Sequence, residues 1–213
     1  MPCQRNAKIV AKAKTLKTTA DPNVITMKVT LAGARPPIWR RLVVPASMTL
    51  GDLHQAILGV MGWHGGHLHT FHVGGKTYGD PSDVDDVNDE ESVTLNRLLR
   101  YRVKRFTHTY DFGDDWQHTV AIEKSEPAVE GISYPVCVGG KRNCPPEDCG
   151  GVWGYGELLT ILADPAHPGH ADQVDWLEGG FDPEEFSIER TNTRLAARFR
   201  GGCVLVKPGT LAT

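Results

Sequence analysis

Two alternating runs constrain this chain more than any other feature. Phe106-Thr-His-Thr-Tyr-Asp-Phe112 and Trp116-Gln-His-Thr-Val-Ala-Ile122 place large apolar or aromatic residues at every second position, with Gly113-Asp-Asp115 between them. Period-two alternation on both sides of a short Gly/Asp segment is the pattern of an antiparallel β-hairpin. A three-residue loop pairs Phe112 with Trp116, Tyr110 with His118, His108 with Val120 and Phe106 with Ile122. That register puts the large side chains on one face, with His108 and His118 as diagonal neighbours on it.

The second constraint follows directly. Cys137, Cys144 and Cys149, three of the five cysteines, fall within Cys137-Val-Gly-Gly-Lys-Arg-Asn-Cys144-Pro-Pro-Glu-Asp-Cys149-Gly-Gly151. So much Gly and Pro argues against helix or regular strand here, and a bound metal is the leading means of fixing such a segment. A structural zinc takes four tetrahedral thiolate or imidazole ligands. Cys137, Cys144 and Cys149 supply three, and His118, on the strand leading toward the segment, supplies the fourth. His108 is an alternative, as are Glu147 and Asp148 in an oxygen-rich site. The competing reading is three free thiols packed beside Trp153.

Before the hairpin, Val24 to Leu31 and Ile38 to Val44 have strand character, separated by turn residues Gly33 to Pro37. Apolar residues then recur at helical spacing from Leu50 to Met61, capped by Ser47 or Thr49. Leu68 to Val73 returns to strand, which gives a β-grasp-like N-terminal half. His67, His69 and His72 read as sheet-edge histidines, or as two of them facing a carboxylate. An acidic stretch, Gly79 to Glu91, reads as a solvated loop. It is followed by a short helix from Leu95 to Leu99 and by the cluster Arg97, Arg100, Arg102, Lys104 and Arg105, which the acidic loop is expected to neutralise. Beyond the cysteines, helical segments are expected at Glu157 to Ala163, at Asp172 to Leu177, and from Asp182-Pro183 onward in one or two pieces.

The resulting expectation is an α+β single domain: a mixed, mostly antiparallel sheet with helices packed on it, and a helical C-terminal part. It spans residues 23–200, between a basic flexible arm at 1–22 and a tail at 201–213. With 213 residues, 40% of them hydrophobic, the chain can bury a core, and a net charge of -3 gives no global attraction to nucleic acid or anionic membrane. No apolar run reaches the ~20 residues needed to span a bilayer, and no secretory signal is legible. A cytoplasmic location is expected, and an odd cysteine count fits a reducing compartment.

Several motifs together resemble a known family. Pro37-Ile-Trp-Arg-Arg, Leu53-His54, Met61-Gly-Trp63, His67-Leu-His-Thr-Phe71, Tyr110-Asp-Phe-Gly-Asp-Asp-Trp-Gln-His118, Cys144-Pro-Pro-Glu-Asp-Cys-Gly-Gly151, Gly154-Tyr155 and Phe181-Asp-Pro183 occur in the order and spacing of the Ri-plasmid pRiA-type open-reading-frame-three-like family. The resemblance covers roughly residues 24–199. It implies a mixed α+β domain, often on plasmids or near mobile elements, with no established activity. Some relatives carry a label linking them to transposon resolvases, but this chain has no segment resembling a serine-recombinase catalytic domain and no clear helix-turn-helix.

Three functions follow in order of expectation. The first is a non-enzymatic interaction or accessory module with a structural zinc and an unknown protein partner. The second is a metal-dependent hydrolase in which His118 and cysteines hold zinc with an open position and Glu147, Asp148, Asp111 or Asp114 is the base. The third is a nucleic-acid binder using Arg97 to Arg105 and the basic arm.

Overall fold

The computed structural model describes residues 23–178, 180–199 and 204–205, so the expected N-terminal arm and most of the tail lie outside the described residues. The strands are β1 (Asn23–Leu31), β2 (Trp39–Pro45), β3 (His69–Val73), β4 (Lys76–Gly79), β5 (Asn88–Asp89), β6 (Arg105–Tyr110), β7 (Trp116–Pro127), β8 (Ser133–Tyr134), β9 (Val136–Lys141) and β10 (Val204–Leu205). The helices are α1 (Leu50–Met61), α2 (Leu95–Arg100), α3 (Gly151–Ala163), α4 (His170–Trp176) and α5 (Ile188–Arg198). Eight strands form one sheet in the order β5-β4-β3-β6-β7-β1-β2-β9, and β8 pairs separately with β10. Every pair in the large sheet is antiparallel except β4 with β5. The chain is thus a mixed, mostly antiparallel α+β domain. β3 joins the sheet beside β6, so β6 and β7 separate it from β1.

β1 is flanked by β7 and β2, and its Ile25, Met27, Val29 and Leu31 are buried. α1 starts where expected. Thr49 accepts from the Asp52 backbone N–H while the Asp52 carboxylate accepts from the Thr49 N–H, a reciprocal cap that satisfies two donors left open at a helix start. In α1 only Asp52 and Gln55 are exposed. A helix buried nearly all round must be covered on two sides: His54 faces β6, and α5 lies across the other side, where a Cβ on Gly59 would sit 3.2 Å from Leu195 Cδ1. No helix among the described residues is long and apolar enough to cross a membrane.

Three expectations are corrected. Tyr110 pairs with Trp116, His108 with His118 and Phe106 with Val120, so the hairpin loop holds five residues, Asp111 to Asp115, rather than three. Asp111 and Asp115 adopt left-handed φ of 57° and 52°, and Asp111 Oδ1 accepts from the Gly113 and Asp114 N–H groups. This Asx-type turn takes up Phe112, which is exposed. A slip of two keeps each residue on its expected face, which is why the alternation alone does not distinguish the registers.

The cysteine segment does contain a regular strand. β9 forms the sheet edge against β2, and its Gly140 is there for clearance: a Cβ on it would lie 2.5 Å from the Phe186 ring and 3.0 Å from Arg40 Cδ. The same segment ends in helix, because α3 begins at Gly151 and takes in Trp153-Gly-Tyr-Gly. Finally, Asp182 to Ser187 is not helical. Asp182 Oδ1 accepts from Glu184 N in a turn, and Ser187 caps α5 by accepting from Arg190 N.

Candidate metal centre

The C-terminal end of β6 gathers three segments that are distant in sequence. Glu147 holds them together: its carboxylate accepts from the His64 N–H at 2.7 Å, from the Gly65 N–H at 3.4 Å and from the Tyr110 hydroxyl at 2.7 Å. Trp63 Nε1 donates to the Pro145 carbonyl at 2.9 Å, and Asp111 N donates to the Leu68 carbonyl at 2.8 Å. Loop 64–68, the hairpin turn and the Pro-Pro-Glu-Asp stretch are therefore locked against one another.

At their junction His67 lies between two carboxylates, with Nδ1 3.6 Å from Asp111 Oδ2 and Nε2 3.4 Å from Asp148 Oδ1. Among the described residues, His67, Asp111 and Asp148 are the one group of three His, Cys, Asp or Glu whose ligand atoms all lie within 4.8 Å of one another. Asp111 is buried, whereas His67 and Asp148 face solvent. Because Asp111 Oδ1 is committed to its own turn, Oδ2 is the atom turned toward His67. Asp111 and Asp148 both sit at left-handed φ, 57° and 60°, a backbone state uncommon for a residue with a Cβ.

The expected ligands are placed differently. Cys137 is buried and its thiol lies 3.4 Å from the Gly139 carbonyl. Cys144 is buried against Met61, with Sγ 2.9 Å from Sδ, and an Arg40 Nη lies 3.5 Å away. Cys149 is half-buried. Burial pushes all three thiols up, Cys149 to about 12 with the Asp114 and Asp148 carboxylates adding to the effect, so in this arrangement they are neutral. His118 is fully buried on the expected face, and burial pushes its imidazole down to about 4. Its Nδ1 is 3.3 Å from His108 Nδ1, while its Nε2 is buried with no hydrogen-bond partner.

His108 continues into a chain of imidazoles that sequence reading missed. His108 Nε2 lies 3.0 Å from His54 Nδ1, His54 stacks on His69 at 3.4 Å between ring centroids, and His69 Nε2 reaches Glu90 at 2.9 Å. His54 sits among the apolar positions of α1 and so carried no polar signal of its own. His67 and His69 were visible as a pair, and each does face carboxylate, but through different partners. His72 is exposed and pairs with Thr77.

Residues 23–190 match the family described as plasmid pRiA4b ORF-3-like protein, and the chain belongs to it. It is 40% identical over 157 residues to the uncharacterized protein y4hQ of Sinorhizobium fredii (strain NBRC 101917 / NGR234), a match covering 72% of this chain and 80% of that one. The crystal structure of a protein of unknown function, MM3350 from Methanosarcina mazei Go1, superposes with a TM-score of 0.74 at 42% identity, covering 78% of this chain and 96% of that one.

Proposed function

We propose that this member of the plasmid pRiA4b ORF-3-like family is a metal-dependent hydrolase whose ion is held by His67, Asp111 and Asp148. The observation that carries this reading is the convergence of one imidazole and two carboxylates from three interlocked segments, with two of the three open to solvent. Three protein ligands leave coordination positions for water and substrate, whereas a structural site closes around its ion. An N,O,O donor set suits Zn2+ or Mn2+. A bound ion of this kind lowers the pKa of its water and polarises an ester or phosphoryl oxygen. Glu147 is a positioning residue here, since both its oxygens are engaged in holding loop 64–68 and Tyr110.

The test is calorimetric titration of chelator-treated protein with Zn2+ and Mn2+, followed by a metal-dependent assay on chromogenic phosphate and carboxylate esters. One ion per chain is expected, with affinity reduced at least tenfold in His67→Gln and in Asp148→Asn and unchanged in Cys137→Ser. Binding insensitive to His67→Gln overturns the site, and binding without any ester cleavage overturns the hydrolase.

A second reading keeps the chain non-enzymatic, an accessory module stabilised by zinc on Cys137, Cys144, Cys149 and His118. The orphaned, buried His118 Nε2 favours it, since a buried ring nitrogen with no partner is costly unless something fills its place. Elemental analysis separates the two. Stoichiometric zinc that is lost in Cys144→Ser and Cys149→Ser but retained in His67→Gln supports the accessory module.

A further inference from the structure

The opposite end of β6 from the candidate metal centre carries a different chemistry. Arg97, Arg100, Arg102, Lys104 and Arg105 lie within nine consecutive residues that include no acid. All five are exposed. From sequence, the neighbouring acidic loop is expected to neutralise them. None of the five is in a direct ion pair: those made by arginines and lysines among the described residues are Arg41 with Glu123, Lys124 with Glu126, Arg142 with Glu184 and Arg190 with Glu185. Three of the loop's seven carboxylates are engaged elsewhere. Asp80 accepts from Ser82, Asp89 from the Glu91 N–H, and Glu90 holds His69.

Within this unpaired cluster stands an aromatic ring. Tyr101 closes α2, is 70% exposed, and has the Arg97 guanidinium 5.9 Å from its ring centroid. Thr94, Asn96, Arg97, Arg100 and Tyr101 line one concave surface, and a left-handed Arg102 at φ 56° turns the chain from it toward Lys104 and Arg105. A net charge of -3 does not cancel this local field, because charges more than about 8–10 Å away are largely screened at physiological salt.

We propose that this surface binds single-stranded nucleic acid, with Arg97, Arg100, Arg102, Lys104 and Arg105 following the phosphates and Tyr101 stacking on a base. Cations around an exposed aromatic are the pattern that takes an unpaired strand, whose bases offer open faces, in preference to a duplex. The proposal is independent of any metal at His67, Asp111 and Asp148.

The experiment is fluorescence anisotropy of the full chain with a labelled oligothymidylate of about 20 nucleotides, its duplex, and phosphatidylserine vesicles as competitor. Five phosphate contacts predict a roughly hundredfold loss of affinity when salt is raised about fourfold, from a log–log slope near -0.7 per contact. Arg100→Glu with Arg102→Glu, both exposed, should weaken binding at least tenfold. Tyr101→Ala should weaken it about fivefold or more while leaving the salt slope unchanged. Circular dichroism confirms that the variants fold. Equal affinity in wild type and the charge-reversed variant, a preference for duplex, or capture by vesicles in place of the oligonucleotide overturns the proposal.

Discussion

The Tyr110 hydroxyl donates to Glu147 Oε1 at 2.7 Å, and this contact joins the central hairpin to the cysteine segment. Burial and the neighbouring Glu147 carboxylate both push the phenol up, so it remains a donor across the physiological range. Tyr110→Phe removes a hydrogen bond to a charged acceptor and is expected to cost about 1.5–3 kcal/mol. The check is a shift of the urea midpoint at constant m. Because Asp148 follows Glu147 directly, the same variant should also weaken Mn2+ binding.

Arg40 is a buried cation whose partners are mostly carbonyls. It is 3% exposed; its Nε donates to Val60 O at 3.1 Å and its Nη1 to Trp39 O at 2.9 Å and Lys141 O at 3.1 Å. Phe186 lies over the guanidinium at 4.7 Å. The planar fork reaches the end of α1, β2 and β9 at once, which a single ammonium does not. Arg40→Lys is expected to destabilise by about 2 kcal/mol or more, and Arg40→Met by about 3 or more, since it leaves buried carbonyls without donors. Thermal unfolding of the pair checks this, and a neutral Arg40→Lys would show that the fork geometry is not used.

Two glycines in α3 give a controlled comparison. A Cβ on Gly154 would run into the Cys149 carbonyl, whereas one on Gly156 meets nothing within 4 Å. Gly156→Ala should stabilise by about 0.5–1 kcal/mol through helix propensity. Gly154→Ala should destabilise by more than about 1 kcal/mol, because the first turn of α3 must then move off the cysteine segment. Denaturant unfolding of both variants tests the packing, and similar values for the two would refute it.

The elements legible in the sequence are those in which local pattern and tertiary role agree. α1 runs from Leu50 to Met61 as its spacing predicts, because the apolar stripe that identifies it lies within the surface it buries. The hairpin faces were legible and its register was not, since a shift of two preserves every face and only the Asp111 turn decides between them. β9 was hidden because glycines read as loop unless one knows that Arg40 and Phe186 need the space. Among the site residues, Asp111 and Asp148 were already candidate bases. His67 reads from the sequence as a sheet-edge histidine or as one of two facing a carboxylate, and no local signal shows that three distant segments meet at its ring.

The buried imidazoles make stability depend on pH, and His54 allows the sign to be worked out. Its ring faces His69, whose Nε2 is held by Glu90, and also His108 and Tyr110. Burial, and then the charges of His69, Arg198 and His118, push it down to about 2. An unfolded histidine titrates near 6.5. As pH falls below about 6.5 the unfolded chain therefore takes up a proton that the folded chain refuses, and folding weakens by about 1.4 kcal/mol per pH unit. The loss is absent above about pH 7 and grows until the folded-state value is reached. His54→Gln keeps a polar side chain on α1 but does not titrate. Between pH 7 and pH 5, wild type should lose about 2 kcal/mol more than this variant, read from urea unfolding at each pH. Parallel stability profiles for the two proteins would mean that His54 is solvated and ionises normally, and the packing of His54 between His69 and His108 would then be wrong.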